Sequence, residues 1–442
     1  IMRDALLALI IVTLLFKAFR RPEIGCYTWA WLSLMNPHMM TYGFASSMPW
    51  ALAAAVVTLV GVLLSPSRKA LPMNGGVVAL ILLWLWMTLT SALSINPPDL
   101  VWDRWIFVSK VFVMLFATLM LIRGRKQIDT LVWVVVCSIG YFGFKGGAFT
   151  IATGGSYRVW GPVGSMVEEN NALAVALIIV LPLIYYLRET SPGVWMKRFL
   201  LLAMVLVGAS ILGSQSRGAL LGLLAMASVL GLKSKHPVRF SLVLIVLLVI
   251  GIAFMPDSWT ARMDTIQTYN EDNSAMSRVY TWQTLWNVAK DRPWVGAGFR
   301  ADNVALFSRY APTGAQFAMF QGGAWVAHSI YLQALGEHGF VGLALYLSMW
   351  GWVWFTASRV ARQAEKLPEL AAWVPTLMRM CQVSTIGFCV GGAFLSLMVF
   401  DLPFYILAFV TLCQCAVKDQ LRDVRSPAKL TGSGALSAAR AS

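Results

Sequence analysis

Long apolar segments constrain the fold of this chain more than any other feature of its sequence. Thirteen of them follow one another, at residues 5–16, 24–34, 50–64, 77–94, 105–121, 128–150, 171–187, 199–213, 218–232, 239–255, 328–355, 378–399 and 402–417. Of the 442 residues, 58% are hydrophobic and only 12% are charged, a balance typical of helical membrane proteins. Since the first two segments are short, we predict an all-α polytopic membrane protein with about twelve transmembrane helices.

Basic residues alternate along the chain in a way that predicts the orientation of these helices. Every second loop is rich in lysine and arginine, whereas the intervening short loops carry only Arg104, Arg158 and Arg217. By the positive-inside rule the basic loops are cytoplasmic, so in a bacterial inner membrane the other loops face the periplasm. The formal net charge of +15 reflects this topology and an affinity for anionic membrane lipids, and it does not indicate nucleic-acid binding.

The same pattern divides the chain into four parts. Residues 1–255 hold transmembrane helices with short periplasmic loops, residues 256–327 form a largely helical periplasmic segment, and residues 328–425 hold the C-terminal transmembrane helices. Residues 426–442 are small and polar, and we predict a disordered cytoplasmic tail. No cleavable signal peptide is expected, because the first apolar run lacks a small-residue cleavage site.

Arg217 interrupts a long region of the sequence that has no other charge. It lies in Ser-Gln-Ser-Arg-Gly, between the apolar segments 199–213 and 218–232. An arginine inside a bilayer costs at least ~2.5 kcal/mol, so it normally faces a polar cavity or an anionic ligand. The alternative is a loop arginine whose side chain extends to the membrane interface.

The stretch from Ser277 to Lys290 predicts an amphipathic helix. Its apolar side chains, including Trp282, recur at helical spacing and form one face, as expected of a helix that rests on the bilayer surface. With a cap at Asn273, Ser274 or Ser277, Arg278 is predicted in the first turn, near the positive end of the helix dipole. An anion would be bound there by the guanidinium of Arg278 and by the positive end of the helix dipole. In the competing interpretation, Arg278 is solvated on the polar face of the helix.

Two histidines, His328 and His338, belong to the segment that follows. At roughly 100° per residue, His328 lies above Gly339 and Gly342 on one side of a helix, along a smooth stripe that another helix can approach closely. His338 points about 80° away, and a packed core histidine is the competing interpretation of it. His328 is therefore the best-placed base in the sequence.

The spacing of these residues resembles a known family signature. His328-Ser329, nine further residues and then Gly339-x-x-Gly342 resemble the pattern of the O-antigen ligase family without a gap. Further similar elements are Ser-Arg-Gly at 216–218, Ser-Arg at 277–278 with Trp282 and Pro293-x-x-Gly296-x-Gly298, and Arg158-x-x-Gly161 followed by Asn170-Asn171. The resemblance covers roughly residues 150–400, and its front end is most similar to the ligase branch found beside exosortase-type sorting systems.

This resemblance implies a glycosyltransferase of the lipid-donor (GT-C-like) group. It would transfer a glycan en bloc from undecaprenyl pyrophosphate to a sugar hydroxyl of lipid A-core, on the periplasmic side of the inner membrane and without metal, nucleotide or other cofactor. In this interpretation His328 is the general base, and Arg217 and Arg278 bind the pyrophosphate. The remaining substrate-binding residues are predicted to be Arg158, His338, Asn170, Asn171 and Trp282.

The chemistry of these residue types agrees with the implied reaction. Planar guanidinium groups match phosphate oxygens, whose charge grows as the glycosidic C–O bond breaks. The predicted outer face has arginines and no Asp-x-Asp pair, so arginine would replace a metal ion there. A neutral imidazole can accept the proton of the attacking hydroxyl, which is typically worth ~10²–10⁴-fold in rate. Direct attack is a single displacement and therefore inverts the anomeric centre.

Other interpretations remain open. A polymerase or a protein O-oligosaccharyltransferase uses the same donor; the ligase-like histidine motif argues against the first, and the lack of a recognisable peptide-binding module argues against the second. A transporter or flippase of anionic lipids would also need cavity arginines, but it would more often show broken helices and an internal repeat. Glu168, Glu169 and Asp401 are interpreted as solvated loop-end carboxylates rather than as an acid or base. No oligomeric state is predicted.

Overall fold

The part of the protein that the structure, a computed structural model, describes consists of helices joined by loops, without strands. This part comprises residues 2–66, 68, 70–233, 253–254, 256–257, 273–313 and 324–425. Its α-helices are α1 (Met2–Arg20), α2 (Pro22–Met35), α3 (Trp50–Leu64), α4 (Gly75–Ala92), α5 (Pro98–Leu121), α6 (Gly124–Ala152), α7 (Asn170–Thr190), α8 (Val194–Gly213), α9 (Arg217–Lys233), α10 (Asn273–Asp291), α11 (Val304–Tyr310), α12 (Ile330–Ala364), α13 (Pro368–Ala371), α14 (Val374–Gly391) and α15 (Asp401–Arg425). Of the predicted segment 239–255 only residues 253 and 254 are described, and the predicted tail 426–442 lies outside the described residues.

Eight helices in the described ranges are long and apolar enough to cross a membrane. They are α4 to α8, α12, α14 and α15, and the shorter α3 and α9 are also apolar. The prediction of an all-α polytopic membrane protein is therefore confirmed, while the number of spans stays a prediction. Several helices extend beyond the predicted apolar segments: α5 begins at Pro98 and α12 continues to Ala364. Hydropathy marks the apolar centre of a helix and misses its polar ends.

Helix α7 lies at the centre of the bundle. It is buried along most of its length and packs against α6, α8, α9 and α14. Its sequence from Ala172 to Ile184 is apolar on every side, which is the pattern of a helix enclosed by other helices. Because α7 begins at Asn170, its first turn brings Asn170 and Asn171 to the end of the bundle where the loops before α9 and α12 lie.

Close packing of α6 against α8 fixes the loops that follow these two helices. A Cβ atom at Gly147 would lie only 1.9 Å from the backbone oxygen of Leu206, so only glycine permits this approach. Beyond the helix ends the N–H of Val159 donates to the oxygen of Gly213 at 3.2 Å. The loop 153–169 is thereby held beside the turn that carries Arg217.

Helix α12 is broken at Gly339, which has φ 70° and ψ −173°. The break frees the backbone oxygens of Gly336 and Glu337, and these accept the N–H groups of Ala297 and Gly298, both at 2.8 Å. The predicted continuous stripe from His328 to Gly342 is therefore wrong: an irregular segment, not another helix, packs at the glycine. A side chain at Gly339 would collide with the oxygen of Trp294, 2.1 Å from the Cβ position.

Helix α10 packs against α12 rather than resting only on a membrane surface. Leu285, Val288 and Ala289 are buried against the protein, whereas Trp286 is 47% exposed. The predicted apolar stripe is thus divided between the protein core and the surface. Arg278 is the sixth residue of α10, because the helix begins at Asn273, so its predicted position in the first turn is wrong.

Candidate active site

Two adjacent cavities open at one end of the bundle. The smaller, which we call the arginine cavity, is lined by Asn171, Gln215, Ser216, Arg217, Gly218, Ala219, Arg278, Gly391, Phe394 and Leu395. The larger, the histidine cavity, has a volume of about 460 Å³, and its lining includes His328, Gln333 and Glu337. Leu395 lines both cavities, which therefore share a wall.

Arg217 is positioned by a tight turn and a helix cap. Gln215 has φ 55°, in the left-handed region that side-chain-bearing residues adopt at a cost of about 1–3 kcal/mol. The Ser216 hydroxyl then accepts the N–H of Ala219 at 3.2 Å and caps α9, whose first residue is Arg217. Asn170 holds the turn from α7, because its Nδ2 donates to the oxygen of Ser214 at 2.7 Å.

Arg158 lies beside the arginine cavity rather than in its lining. Its side chain is exposed, and its Nε donates to Oε1 of Gln215 at 3.4 Å, while Nε2 of Gln215 donates to the oxygen of Gly155 at 3.2 Å. Gln215 thus joins the loop of Arg158 to the turn of Arg217. Sequence reasoning missed Gln215, although a glutamine between two serines at the end of an apolar helix was a visible signal.

Arg278 meets Arg217 in the arginine cavity, although the two residues come from different helices, α10 and α9. Among the described residues, the lining of this cavity contains these two guanidinium groups and no carboxylate. The predicted group of Arg217, Arg278 and Asn171 is therefore brought together in space. A cavity with this lining is suited to an anion that two guanidinium groups bind.

His328 lies in a strained loop that is held at both sides. Its φ is 45°, and its backbone N–H donates to Oγ of Ser396 at 2.8 Å. The backbone oxygen of Ala327, the residue before His328, accepts the indole N–H of Trp282 at 2.9 Å. Ser329, the residue after His328, caps α12. Trp282, which was predicted to bind substrate, therefore positions the His328 loop through its indole N–H.

The surroundings of His328 keep its imidazole neutral. Burial, and then the positive charge of Arg278, lower the pKa of His328 to about 4. Its Nδ1 is buried and has no hydrogen-bond partner among the described residues. Near pH 7 the ring is thus uncharged and able to accept a proton from a group in the histidine cavity.

His338 lies behind the wall of the histidine cavity, where its Nε2 is 4.0 Å from Oε2 of Glu337. It is fully buried, its Nδ1 is 2.7 Å from the Thr90 hydroxyl, and its ring meets that of Phe299 edge-on at 4.6 Å. Its backbone oxygen accepts the indole N–H of Trp86 at 2.9 Å. It lines neither cavity in the described structure, which is the position of a packed histidine.

The histidine cavity contains charged residues that the sequence analysis did not select. Glu337 and Arg104 line it, and Ser396 in its lining holds His328. Glu337 had a visible signal, because a carboxylate in an apolar helix is expensive and often functional. Glu168 and Glu169 also line this cavity.

Asp401 is buried, with its carboxylate accepting the Ser33 hydroxyl, so its interpretation as a solvated carboxylate is wrong. It opens α15, where α2 packs over it and excludes solvent. In the part of the chain that the structure describes, no group of three or more His, Cys, Asp or Glu residues is arranged to hold a metal ion.

Comparison with known proteins identifies two regions of the chain. Residues 2–192 match a family of unknown function (DUF5935), and residues 202–347 match the O-antigen ligase family. No curated protein matches the chain. The second match contains Arg217, Arg278, His328 and His338, in the helices and loops that line the two cavities. The protein is thus a helical membrane protein in which residues 202–347 match the O-antigen ligase family, and this match supports glycosyl transfer of the ligase or polymerase type.

Proposed function

We propose that the protein is an O-antigen ligase of the exosortase-associated branch. It transfers a glycan en bloc from undecaprenyl pyrophosphate to a sugar hydroxyl of lipid A-core, at the periplasmic face of the bacterial inner membrane. The observation that carries this proposal is the shared wall of the two cavities. A cavity lined by Arg217 and Arg278, whose guanidinium groups are suited to an anion, lies directly beside a cavity that contains His328.

The arginine cavity would bind the pyrophosphate of the donor. As the bond from the anomeric carbon to the phosphate oxygen breaks, negative charge grows on the leaving group, and guanidinium groups held in place stabilise it. The backbone at Arg217 is held by the cap at Ser216 and by the bond from Asn170 to Ser214, which would limit the reorganisation of this residue during the reaction. Arg158, tied to Gln215 at the edge, would contact the same phosphates or the first sugar.

The acceptor hydroxyl would enter the histidine cavity and attack the anomeric carbon. His328 takes the proton of that hydroxyl as the new C–O bond forms, and the pyrophosphate departs with the bonding electrons. This single displacement inverts the anomeric centre. In the free protein, the positive charge of Arg278 lowers the pKa of His328. The negative charge of a bound donor would offset this positive charge. Donor binding would therefore strengthen the base when it is needed.

A transporter of anionic lipids is the alternative from another class, and the break in α12 is a feature that transporters often have. Here, however, the freed oxygens of Gly336 and Glu337 are already bonded to Ala297 and Gly298, so they are not offered to an ion. The polymerase and the protein O-oligosaccharyltransferase differ from a ligase only in the acceptor.

Reconstitution tests the proposal. The purified protein in lipid vesicles is given undecaprenyl-pyrophosphate-linked glycan together with lipid A-core, a second lipid-linked glycan or an acceptor peptide, in separate reactions. We expect free undecaprenyl pyrophosphate and glycosylated lipid A-core in the first reaction only. Transfer to one of the other two acceptors would favour polymerase or protein transferase activity, and an intact donor in all three would contradict glycosyl transfer.

A further inference from the structure

The histidine cavity continues well beyond His328 along α12. Gln333 and Glu337 lie four residues apart on the cavity side of this helix, and the seven residue-to-residue steps from Ile330 to Glu337 span ~10 Å. The total volume of about 460 Å³ is within the usual range of small-molecule sites. The cavity thus has room for more than the single hydroxyl group that a base must reach.

We propose that the deep part of the histidine cavity is a binding subsite for the acceptor sugar, in which Glu337 and Arg104 bind the hydroxyl groups of an uncharged ring. This inference rests on the proposed function. It names two specificity-determining residues and the chemical class of the acceptor sugar.

The carboxylate of Glu337 is held in a fixed orientation. Its Oε1 accepts the backbone N–H of Arg300 at 3.1 Å, and its Oε2 accepts Nε2 of Gln333 at 3.4 Å. Gln333 is itself fixed, because its Oε1 accepts the N–H of Met398 at 3.3 Å. The backbone N–H of Ala301 also contacts this carboxylate, and His338 Nε2 lies 4.0 Å from its Oε2. A carboxylate offers about four lone-pair directions, so capacity for a hydrogen bond from a ligand is left.

Arg104 lines the same cavity with few polar contacts of its own. Its Nη1 and Nη2 are each 4.0 Å from the sulfur of Met166, and its guanidinium lies 4.9 Å from the centre of the Phe107 ring. Within the described ranges no carboxylate forms an ion pair with it, whereas the neighbouring Arg300 pairs with Asp302 at 3.2 Å. The donors of Arg104 are therefore available to the oxygens of a ligand.

The charges of this cavity indicate which sugars it accepts. Its lining carries four acidic side chains, those of Glu168, Glu169, Asp302 and Glu337, against the two guanidinium groups of Arg104 and Arg300, a formal charge of −2 when all six groups are ionised. A sugar with a carboxylate or phosphate group would be repelled, while hydroxyl groups bind both to carboxylates and to guanidinium. Trp160 and Trp325 in the lining add aromatic faces on which a sugar ring can stack.

The experiment compares two acceptors in the reconstituted reaction, lipid A-core ending in a neutral hexose and lipid A-core ending in a uronic acid. For the unmodified protein we expect kcat/KM at least about tenfold higher with the neutral acceptor. Glu337→Gln should raise the KM for the neutral acceptor about tenfold or more and reduce the preference, with donor binding unchanged. Arg104→Gln should also raise that KM.

Glu365→Gln is the matched control, since Glu365 ends the same helix at its far end and pairs with Arg379 on the surface. It should leave both acceptor constants unchanged. If Glu337→Gln does not fold, Arg104→Gln alone still tests the subsite. An unchanged acceptor KM in the folded variants, or a preference for the uronic acid, would overturn the inference while donor cleavage continued. Loss of donor cleavage with every acceptor in the unmodified protein would instead overturn the proposed function, and the inference with it.

Discussion

The arginine cavity and the histidine cavity share a wall but have opposite electrostatic character. The first is lined by two guanidinium groups without a carboxylate among the described residues, and the second carries a formal charge of −2. The protein as a whole has a surplus of basic residues, so the negative charge of the histidine cavity is a local feature. The two cavities lie at the same end of the bundle and share Leu395. In the proposed function, this difference would direct the anionic donor and the uncharged acceptor sugar to different cavities, with His328 on the acceptor side.

The largest expected effect tests the base of the histidine cavity. His328→Ala should slow glycan transfer at least ~10²-fold, because the variant lacks the neutral imidazole that we propose accepts the acceptor's proton. Binding of the lipid pyrophosphate should be retained, since it depends on the other cavity. His338→Gln is the companion variant, and it should be tolerated far better. An active His328→Ala beside an inactive His338→Gln would show that the acceptor reaches deeper than we propose.

The next effect tests the arginine cavity. Arg217→Lys keeps the positive charge but loses the planar fork that binds two phosphate oxygens at once, so we expect the loss of most of the activity, about tenfold or more. Membrane insertion and thermal stability, measured in the same preparation, should match the unmodified protein. Near-full activity of the lysine variant would exclude Arg217 from pyrophosphate binding.

A smaller effect tests the electrostatic link between the two cavities. Burial and the charge of Arg278 lower the pKa of His328 to about 4, and as the proposed base His328 would work in its neutral form. Activity should therefore hold as pH falls below 6.5 and decline only as the pH approaches that lower value. Arg278→Gln removes one of the two causes, so the acidic decline of kcat/KM should move to higher pH. A decline at the same pH in both proteins would mean that Arg278 does not act on the base.

The smallest expected effect concerns metal ions. If Arg217 and Arg278 supply the positive charge at the leaving group, transfer in excess EDTA should proceed at nearly the untreated rate. The measurement is the initial rate with and without the chelator. A large loss that Mg²⁺ or Mn²⁺ restores would show that the arginine cavity binds a metal together with the pyrophosphate.

The sequence predicted the parts of the site that depend on rare residue types. Arg217 was visible because charge is costly in an apolar region, and His328 because it is one of only four histidines. Both line cavities in the structure. Gln333 and Ser396 were not visible, because a glutamine or a serine carries no signal until distant segments lie side by side. Arg104 was visible as one of three arginines in the short outer loops, but nothing in the sequence placed it in the site.

The sequence by itself determined that the chain is a helical membrane protein, since its long apolar segments have no other stable arrangement in a lipid bilayer. It also determined the order of the chemically active residues along the chain. Only the tertiary structure decided that α12 breaks at Gly339, that Trp282 holds the His328 loop and that Glu337 faces a cavity. Each of these depends on contacts between segments far apart in sequence, and such contacts arise only when the whole bundle packs.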